Sequence, residues 1–237
     1  MKRVAIIGAS GGIGSSFVDL LSGLSSVKSL YLFSREKLEV PKNSRWLPLD
    51  FNKEDSIAKA AEAIKDEGPL DTLIVATGVL HNSSSQPERS LRDISLEAMN
   101  QIFAVNTFGP ALALKHFGPL MTRKEKCLIA VLSARVGSIS DNYLGGWYSY
   151  RSSKAALNMI IKCASIEFKR KNPKSVVVGL HPGTVDTNLS KPFQKNIPRD
   201  QLKCPDNACR LMFQVMKNLD SQDSGKCLAY DGKEIQP

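Results

Sequence analysis

The sequence predicts an α/β protein: one doubly wound parallel sheet of about seven strands with helices on both faces. Two observations carry this. Short β-branched apolar runs alternate with amphipathic stretches along all 237 residues, with no linker, repeat or composition break between them. Gly8, Ser34, Asp50, Gly78, Ser133 and Pro182, which suit ligand binding or chemistry, each stand at the carboxyl end of one of the apolar runs. Open parallel sheets take their ligands at that edge.

The first run, Lys2 to Ile7, is bounded by glycine and reads as a buried strand. Gly8-Ala9-Ser10-Gly11-Gly12-Ile13-Gly14 follows, and then Phe17, Leu20, Leu21 and Leu24 recur at helical spacing. Strand, glycine turn and helix, in that order, is the context in which a glycine fingerprint becomes informative. Gly8 permits a tight turn, Gly12 lets the backbone approach a pyrophosphate, and Gly14 allows close helix–strand packing. The helix N-terminus adds amides and partial positive charge.

The second strand, Ser29 to Phe33, ends in Ser34-Arg35. An acid at this place would hold a ribose 2′-hydroxyl; a hydroxyl and a guanidinium instead suit a 2′-phosphate. NADP(H) is therefore expected in preference to NAD(H). Trp46 to Leu49 is a weaker third strand, with Asp50 placed to reach an adenine edge. Ile57 to Ile64 reads as an amphipathic helix, and Asp71 to Val75 as a strong buried strand that ends in Ala76-Thr77-Gly78.

A polar loop from His81 to Arg92 leads to a helical stretch from about Ser95 to Phe117. Asn106 and Gly109 are poor helix-interior residues, so they imply a kink or a functional side chain there. Cys127 to Leu132 is the next strand, with Ser133 at its end; Val176 to Leu180 is another, ending in His181-Pro182-Gly183. A last helix over Ala208 to Leu219 and a final strand at Cys227 to Tyr230 complete the pattern.

Trp147-Tyr148-Ser149-Tyr150-Arg151-Ser152-Ser153-Lys154 opens a long helix. Tyr150 and Lys154 are one helical turn apart on the same face. An ammonium so placed favours the phenolate and is expected to bring the tyrosine pKa down toward working range. Tyr143 and Tyr148 have no such lysine and read as packing or pocket-wall residues, and His181 as a turn brace.

Composition excludes other classes. A hydrophobic share of 42% and a charged share of 23% suit a soluble chain long enough for one sizeable core. No apolar run reaches the length of about 18 residues that a bilayer needs, so no membrane partner is expected. The basic pair and short apolar run at the N-terminus are too brief for a signal peptide. A cytoplasmic location is the default, with a processed organelle form as the alternative. The five cysteines have no metal-binding spacing and read as reduced thiols; no metal is expected. The net charge of +9 is densest at Lys169-Arg170-Lys171, a helix end with no interleaved aromatics, so nucleic acid is not expected as a partner.

Taken together, Gly8 to Gly14, Asp50, Ala76-Thr77-Gly78, Asn106, Ser133, Tyr150-x-x-x-Lys154 and Pro182-Gly183-Thr184-Val185-Asp186-Thr187 resemble the short-chain dehydrogenase/reductase family over essentially the whole chain. The run Leu132 to Asn142, followed by Gly145 to Arg151, is similar to its C-factor branch, which also holds Sniffer-like carbonyl reductases. The resemblance implies a single Rossmann-type domain over residues 1–237 that interconverts a carbonyl and an alcohol. Tyr150 would be the proton donor or acceptor, Lys154 would lower its pKa and hold the nicotinamide ribose, and Ser133 would polarise the carbonyl, with Ser138 as the alternative. Asn106 would bind a relay water. Gly8, Ser10, Gly12, Ile13, Gly14, Ser34, Arg35, Asp50, Phe51, Ala76, Gly78, Asn106, Tyr150, Lys154, Pro182, Gly183, Val185 and Thr187 would form the cofactor site. The substrate pocket would come from loops around Leu80, Asn142 and Pro192. A homodimer or homotetramer through the helices carrying Asn106 and Tyr150 is also implied. The C-factor branch adds a second possibility, a signalling or interaction protein that keeps the fold with little turnover.

Overall fold

The computed structural model describes residues 1–81, 86–195, 197–198 and 200–237. Asn82 to Ser85, within the predicted polar loop, lie outside the described residues, as do Asn196 and Arg199.

Seven strands form one parallel sheet: β1 (Arg3–Ile7), β2 (Ser29–Ser34), β3 (Ser44–Pro48), β4 (Thr72–Val75), β5 (Cys127–Leu132), β6 (Ser175–His181) and, after two short strands, β9 (Cys227–Ala229). Their order is β3-β2-β1-β4-β5-β6-β9, and every neighbouring pair is parallel. The order reverses between β1 and β4, which puts the ligand crevice of a doubly wound sheet outside their carboxyl ends. The two short strands, β7 (Thr184–Val185) and β8 (Leu202–Lys203), pair as a separate ribbon that the apolar pattern was too short to announce.

The strands read as unbroken apolar runs because both faces are covered. Val4 and Ile6 point to one face, where α1 (Gly12–Ser22) and α6 (Pro205–Asn218) supply Phe17, Leu21, Cys209 and Met212. Ala5 and Ile7 point to the other, against α2 (Glu54–Glu62), α4 (Gly109–Phe117) and α5 (Tyr148–Lys171), which supply Ile57, Phe117, Leu157 and Ile161. Each such aliphatic or aromatic side chain contributes roughly 1.5–3 kcal/mol by leaving water. No helix of the described residues is long and apolar enough to cross a membrane.

The predicted kink is present. Between α3 (Leu96–Phe103) and α4, residues Ala104–Phe108 form a π-helical turn. Pro110 has no N–H to close an ordinary turn onto the Asn106 carbonyl, so the helix widens there.

At the first strand–helix junction Gly8 has φ of +85°, and a β-carbon on Gly14 would lie 2.0 Å from the Gly8 carbonyl oxygen. No side chain fits that contact. Gly14→Ala is expected to destabilise the fold by roughly 1–3 kcal/mol, read as a lower denaturation midpoint in urea.

Candidate active site

The site lies at the carboxyl edge of the sheet, outside the ends of β1 and β4 where the strand order reverses. On the phosphate side, α1 begins at Gly11 with no side-chain cap and no acid in its first turn. Its leading amides are therefore unmatched, as an anion-binding helix start requires. Ser10, Gly11 and Gly12 are exposed and Ile13 half-buried. A β-carbon on Gly12 would meet the Thr187 side chain at 2.7 Å, so the bare backbone is needed to keep this cradle between α1 and the segment after β7. Val185 is buried on β7, and Gly183 turns at φ of +78° against the Tyr230 ring.

Beyond β2, Arg35 is exposed and has no hydrogen-bond or ion-pair partner among the described residues. Asp50 accepts two hydrogen bonds from Asn52, at 3.0 and 3.1 Å, which fixes its carboxylate just past β3. These features fit a dinucleotide carrying a 2′-phosphate.

Two of the expected cofactor residues have side chains engaged within the protein. The Ser34 hydroxyl donates to the Glu36 carbonyl at 2.5 Å and accepts from Trp46 Nε1 at 2.8 Å. It ties β2 to β3 and leaves Arg35 as the 2′-phosphate candidate. The Phe51 ring is buried in the core, filling the space a β-carbon on Gly109 would need. Only its backbone can face a ligand.

Around Gly78 the reactive side chains converge. A β-carbon there would sit 3.7 Å from Lys154 Nζ and 3.8 Å from Asn106 Oδ1. Asn106 is wholly buried; its Oδ1 accepts from Val79 N, and its amide donates to Val79 O (both 2.8 Å) and to Ser153 Oγ at 3.1 Å. Thr107 donates to the Ser153 carbonyl at 2.9 Å. The π turn thus clamps the β4 loop to α5 one residue from Lys154. Both protons of the Asn106 amide are committed to protein, so the side chain braces the site.

Lys154 and Tyr150 share one face of α5, with the ammonium 6.0 Å from the ring centroid. Lys154 Nζ donates to the Leu132 carbonyl at 2.9 Å. Burial lowers its pKa to about 8, opposed by the Cys227 thiolate form. Burial also pushes Tyr150 up to about 12. The expected drop toward working range is therefore absent: desolvation outweighs an ammonium directed at Leu132. The cover comes from Trp147 and from Leu189 and Phe193, which pack with Leu80, Ala134 and Val136 around Tyr150. Trp147 meets Tyr150 at 6.3 Å and Phe193 at 5.0 Å between ring centroids, both edge-on.

The Ser133 hydroxyl, expected to polarise the carbonyl, is engaged within the protein in this structure. Odd positions of β5 face α5, and Ser133 Oγ accordingly donates to Asn158 Oδ1 at 2.6 Å. The residue that packs on Tyr150 is its neighbour, Ala134. The alternative, Ser138, hydrogen-bonds within its own turn, to Ser140 and the Asp141 amide. Tyr143, expected to pack or to line the pocket, is 87% exposed, so it does not pack. His181 is half-buried at the end of β6, with its pKa lowered to about 4, first by burial and then by Arg135 and Lys203. Sequence reasoning named loops around Leu80, Asn142 and Pro192 for the pocket; Leu80 and, beside Pro192, Phe193 pack at Tyr150, together with Ala134, Trp147 and Leu189, which were not singled out. Trp147 stood within the opening of α5, whereas Leu189 and Phe193 come from a loop with no periodicity to mark them.

Comparison with known proteins agrees with this fold. A family model described as short chain dehydrogenase matches residues 2–198. The C-signal protein of Myxococcus xanthus is 33% identical over 168 residues, covering 71% of this chain and 93% of that protein. The NADPH-bound carbonyl reductase from chicken fatty liver is 27% identical with a TM-score of 0.85, covering 100% of this chain and 99% of the other. The carbonyl reductase Sniffer of D. melanogaster shares the fold, at 21% identity, a TM-score of 0.87 and full coverage of both chains.

Proposed function

The chain belongs to the short-chain dehydrogenase/reductase family, and from that premise we propose that it is an NADP(H)-dependent carbonyl reductase for apolar aldehydes, ketones or quinones. The observation that carries the proposal is the convergence of Lys154 and Asn106 at Gly78, with the Tyr150 ring 6.0 Å from the Lys154 ammonium, beside an uncapped α1 and an Arg35 unpartnered among the described residues. The NADPH-bound state of the chicken relative supports the cofactor choice.

When bound, the cofactor supplies the hydride. Gly8, Ser10, Gly12, Ile13 and Gly14 would hold its pyrophosphate at the start of α1, Arg35 its 2′-phosphate, and Asp50, Phe51 through its backbone, and Ala76 its adenosine side. Gly78, Lys154, Pro182, Gly183, Val185 and Thr187 would flank the nicotinamide end. Tyr150 then gives its proton to the carbonyl oxygen as negative charge develops there. A pKa raised by burial keeps that proton in place until an alkoxide forms. Lys154, in its charged form, stabilises the phenolate left behind. Ala134 brings no hydroxyl to this pocket, so Tyr150 carries the grip on the oxygen, and Ser133 acts from behind by holding Asn158. Leu80, Val136, Trp147, Leu189 and Phe193 supply an apolar, partly aromatic wall that suits an uncharged substrate.

The pH dependence follows from Lys154. It is cationic below its folded pKa of about 8 and neutral above, while Tyr150 stays protonated up to about 12. The value of kcat/KM for reduction is therefore expected to be level below pH 8 and to fall as pH rises through it. A profile flat across that point would remove Lys154 from the mechanism. The identifying experiment is an NADPH-oxidation screen across neutral aromatic aldehydes, ketones and quinones and their carboxylate-bearing analogues. Turnover of the neutral set is expected, and turnover confined to charged substrates would refute the pocket assignment.

Assembly as a homodimer or homotetramer is part of the proposal. Met159 and Ile166 on α5 and Phe108 in the π turn are 63%, 46% and 52% exposed, an apolar strip that a second copy would cover. The identity with C-signal favours one second reading, a signalling or interaction role that needs no turnover. Such a role would survive loss of Tyr150 chemistry.

A further inference from the structure

The chain enters α5 through three consecutive left-handed residues, Gly145, Gly146 and Trp147, with φ of +63°, +64° and +51°. Only the last carries a side chain, and a non-glycine residue persists there when surrounding contacts hold it. Trp147 occupies the N-cap position of α5 but provides no side-chain cap, and the first turn contains no acid. That helix start nevertheless has a cap. It comes from Glu88, 61 residues earlier in the chain.

Glu88 Oε2 accepts from the Ser149 amide at 3.2 Å, and Oε1 accepts from the Ser149 hydroxyl. The Glu88 main-chain carbonyl accepts from the Trp147 amide at 2.6 Å. Arg151 closes the other side by donating from Nε to the carbonyls of Gly145 and Gly146, at 3.2 and 3.1 Å. Glu88 is only 5% exposed and has no ion pair among the described residues. Burying a carboxylate without a cation is costly. The positive end of the α5 dipole and the two Ser149 donors are what compensate it.

This clamp touches the chemistry through its neighbours. Ser149 precedes Tyr150 in the first turn of α5. Trp147, held by the Glu88 carbonyl, is the ring that packs edge-on against both Tyr150 and Phe193. One residue therefore fixes the backbone that aims the phenol and the indole that walls it.

We infer that Glu88 is a positioning residue, whose carboxylate locks the first turn of α5 and thereby aims Tyr150 at the carbonyl. The inference rests on Tyr150 being the proton donor. Its action is on orientation, so it should be felt in kcat and not in cofactor affinity.

The test compares Glu88→Ala, Glu88→Gln and Glu88→Asp with the parent, with Tyr150→Phe alongside. Fold is checked by thermal unfolding, NADPH affinity by quenching of tryptophan fluorescence, and kcat and KM with an aromatic ketone. Glu88→Ala is expected to lower kcat by about tenfold or more with NADPH affinity within about twofold. Glu88→Gln keeps an acceptor for Ser149 at the same reach and is expected to recover most of the loss. Glu88→Asp keeps the charge but withdraws it by one methylene; it should lose kcat like the alanine variant, and it decides the matter if the alanine variant does not fold. Full kcat in the alanine or aspartate variant, a loss matched in NADPH affinity, or failure of the glutamine variant to recover activity would overturn the inference while an inactive Tyr150→Phe leaves the proton-donor reading intact. A fully active Tyr150→Phe would overturn both.

Discussion

Replacing Tyr150 by phenylalanine is expected to lower kcat for carbonyl reduction by about 10²–10⁴-fold, the usual weight of a placed general acid. The substitution removes one oxygen and little volume, so the box of Leu80, Ala134, Trp147 and Phe193 keeps its shape. Lys154 keeps its bond to the Leu132 carbonyl. NADPH affinity should therefore stay within about twofold of the parent, because the substitution removes one neutral hydroxyl and leaves the charged Lys154 in place. No other hydroxyl replaces the lost one: Ser133 is held by Asn158 and Ser138 by its own turn. The measurement is kcat at saturating NADPH, with affinity from fluorescence quenching on the same preparation. A loss in both quantities together would point to a damaged site and not to a missing proton.

The second large effect is expected at Arg35. Charge-assisted hydrogen bonds contribute about 1.5–3 kcal/mol each. Losing them converts to roughly a 10–100-fold rise in the dissociation constant for NADPH. Arg35→Asp goes further, since its carboxylate repels the 2′-phosphate and can accept from a ribose 2′-hydroxyl. NADH affinity should thus hold or improve while NADPH affinity falls. Arg35 is exposed and unpartnered among the described residues, so its removal leaves nothing buried behind and stability should not change. Parallel titrations with both dinucleotides decide the matter. An unaltered ratio would mean that the 2′-phosphate is held elsewhere.

Much of this was legible in the chain because it rests on local patterns. Four glycines between Gly8 and Gly14 after a β-branched run announce a strand, a turn and a helix with little ambiguity. Gly14 shows why: its missing side chain is filled by the Gly8 carbonyl. Asn106 and Gly109 marked the kink correctly, and Pro110 supplies its cause. What the chain did not reveal depends on direction and depth. Ser133 stands at the expected strand end, but no local pattern conveys that its hydroxyl bonds Asn158 on α5. Ser34 offers a hydroxyl whose two bonds close inside the protein, one of them to Trp46 from the next strand. The rise in the Tyr150 pKa depends on Leu189 and Phe193, some forty residues onward by chain position. Burial by such distant groups outweighs the effect of a lysine one turn away, and no spacing rule conveys it.

The central claim is that Tyr150, Lys154 and Gly78 frame a site where a carbonyl is reduced from a bound nicotinamide. It is tested most directly by following the hydrogen that moves. NADPH bearing deuterium on both C4 positions is incubated with the protein and an aromatic ketone, and the product is read by mass spectrometry. The expected result is an alcohol carrying one deuterium on the carbinol carbon, formed by Tyr150→Phe about 10²–10⁴-fold more slowly than by the parent protein. No alcohol, or alcohol without the label, would contradict it.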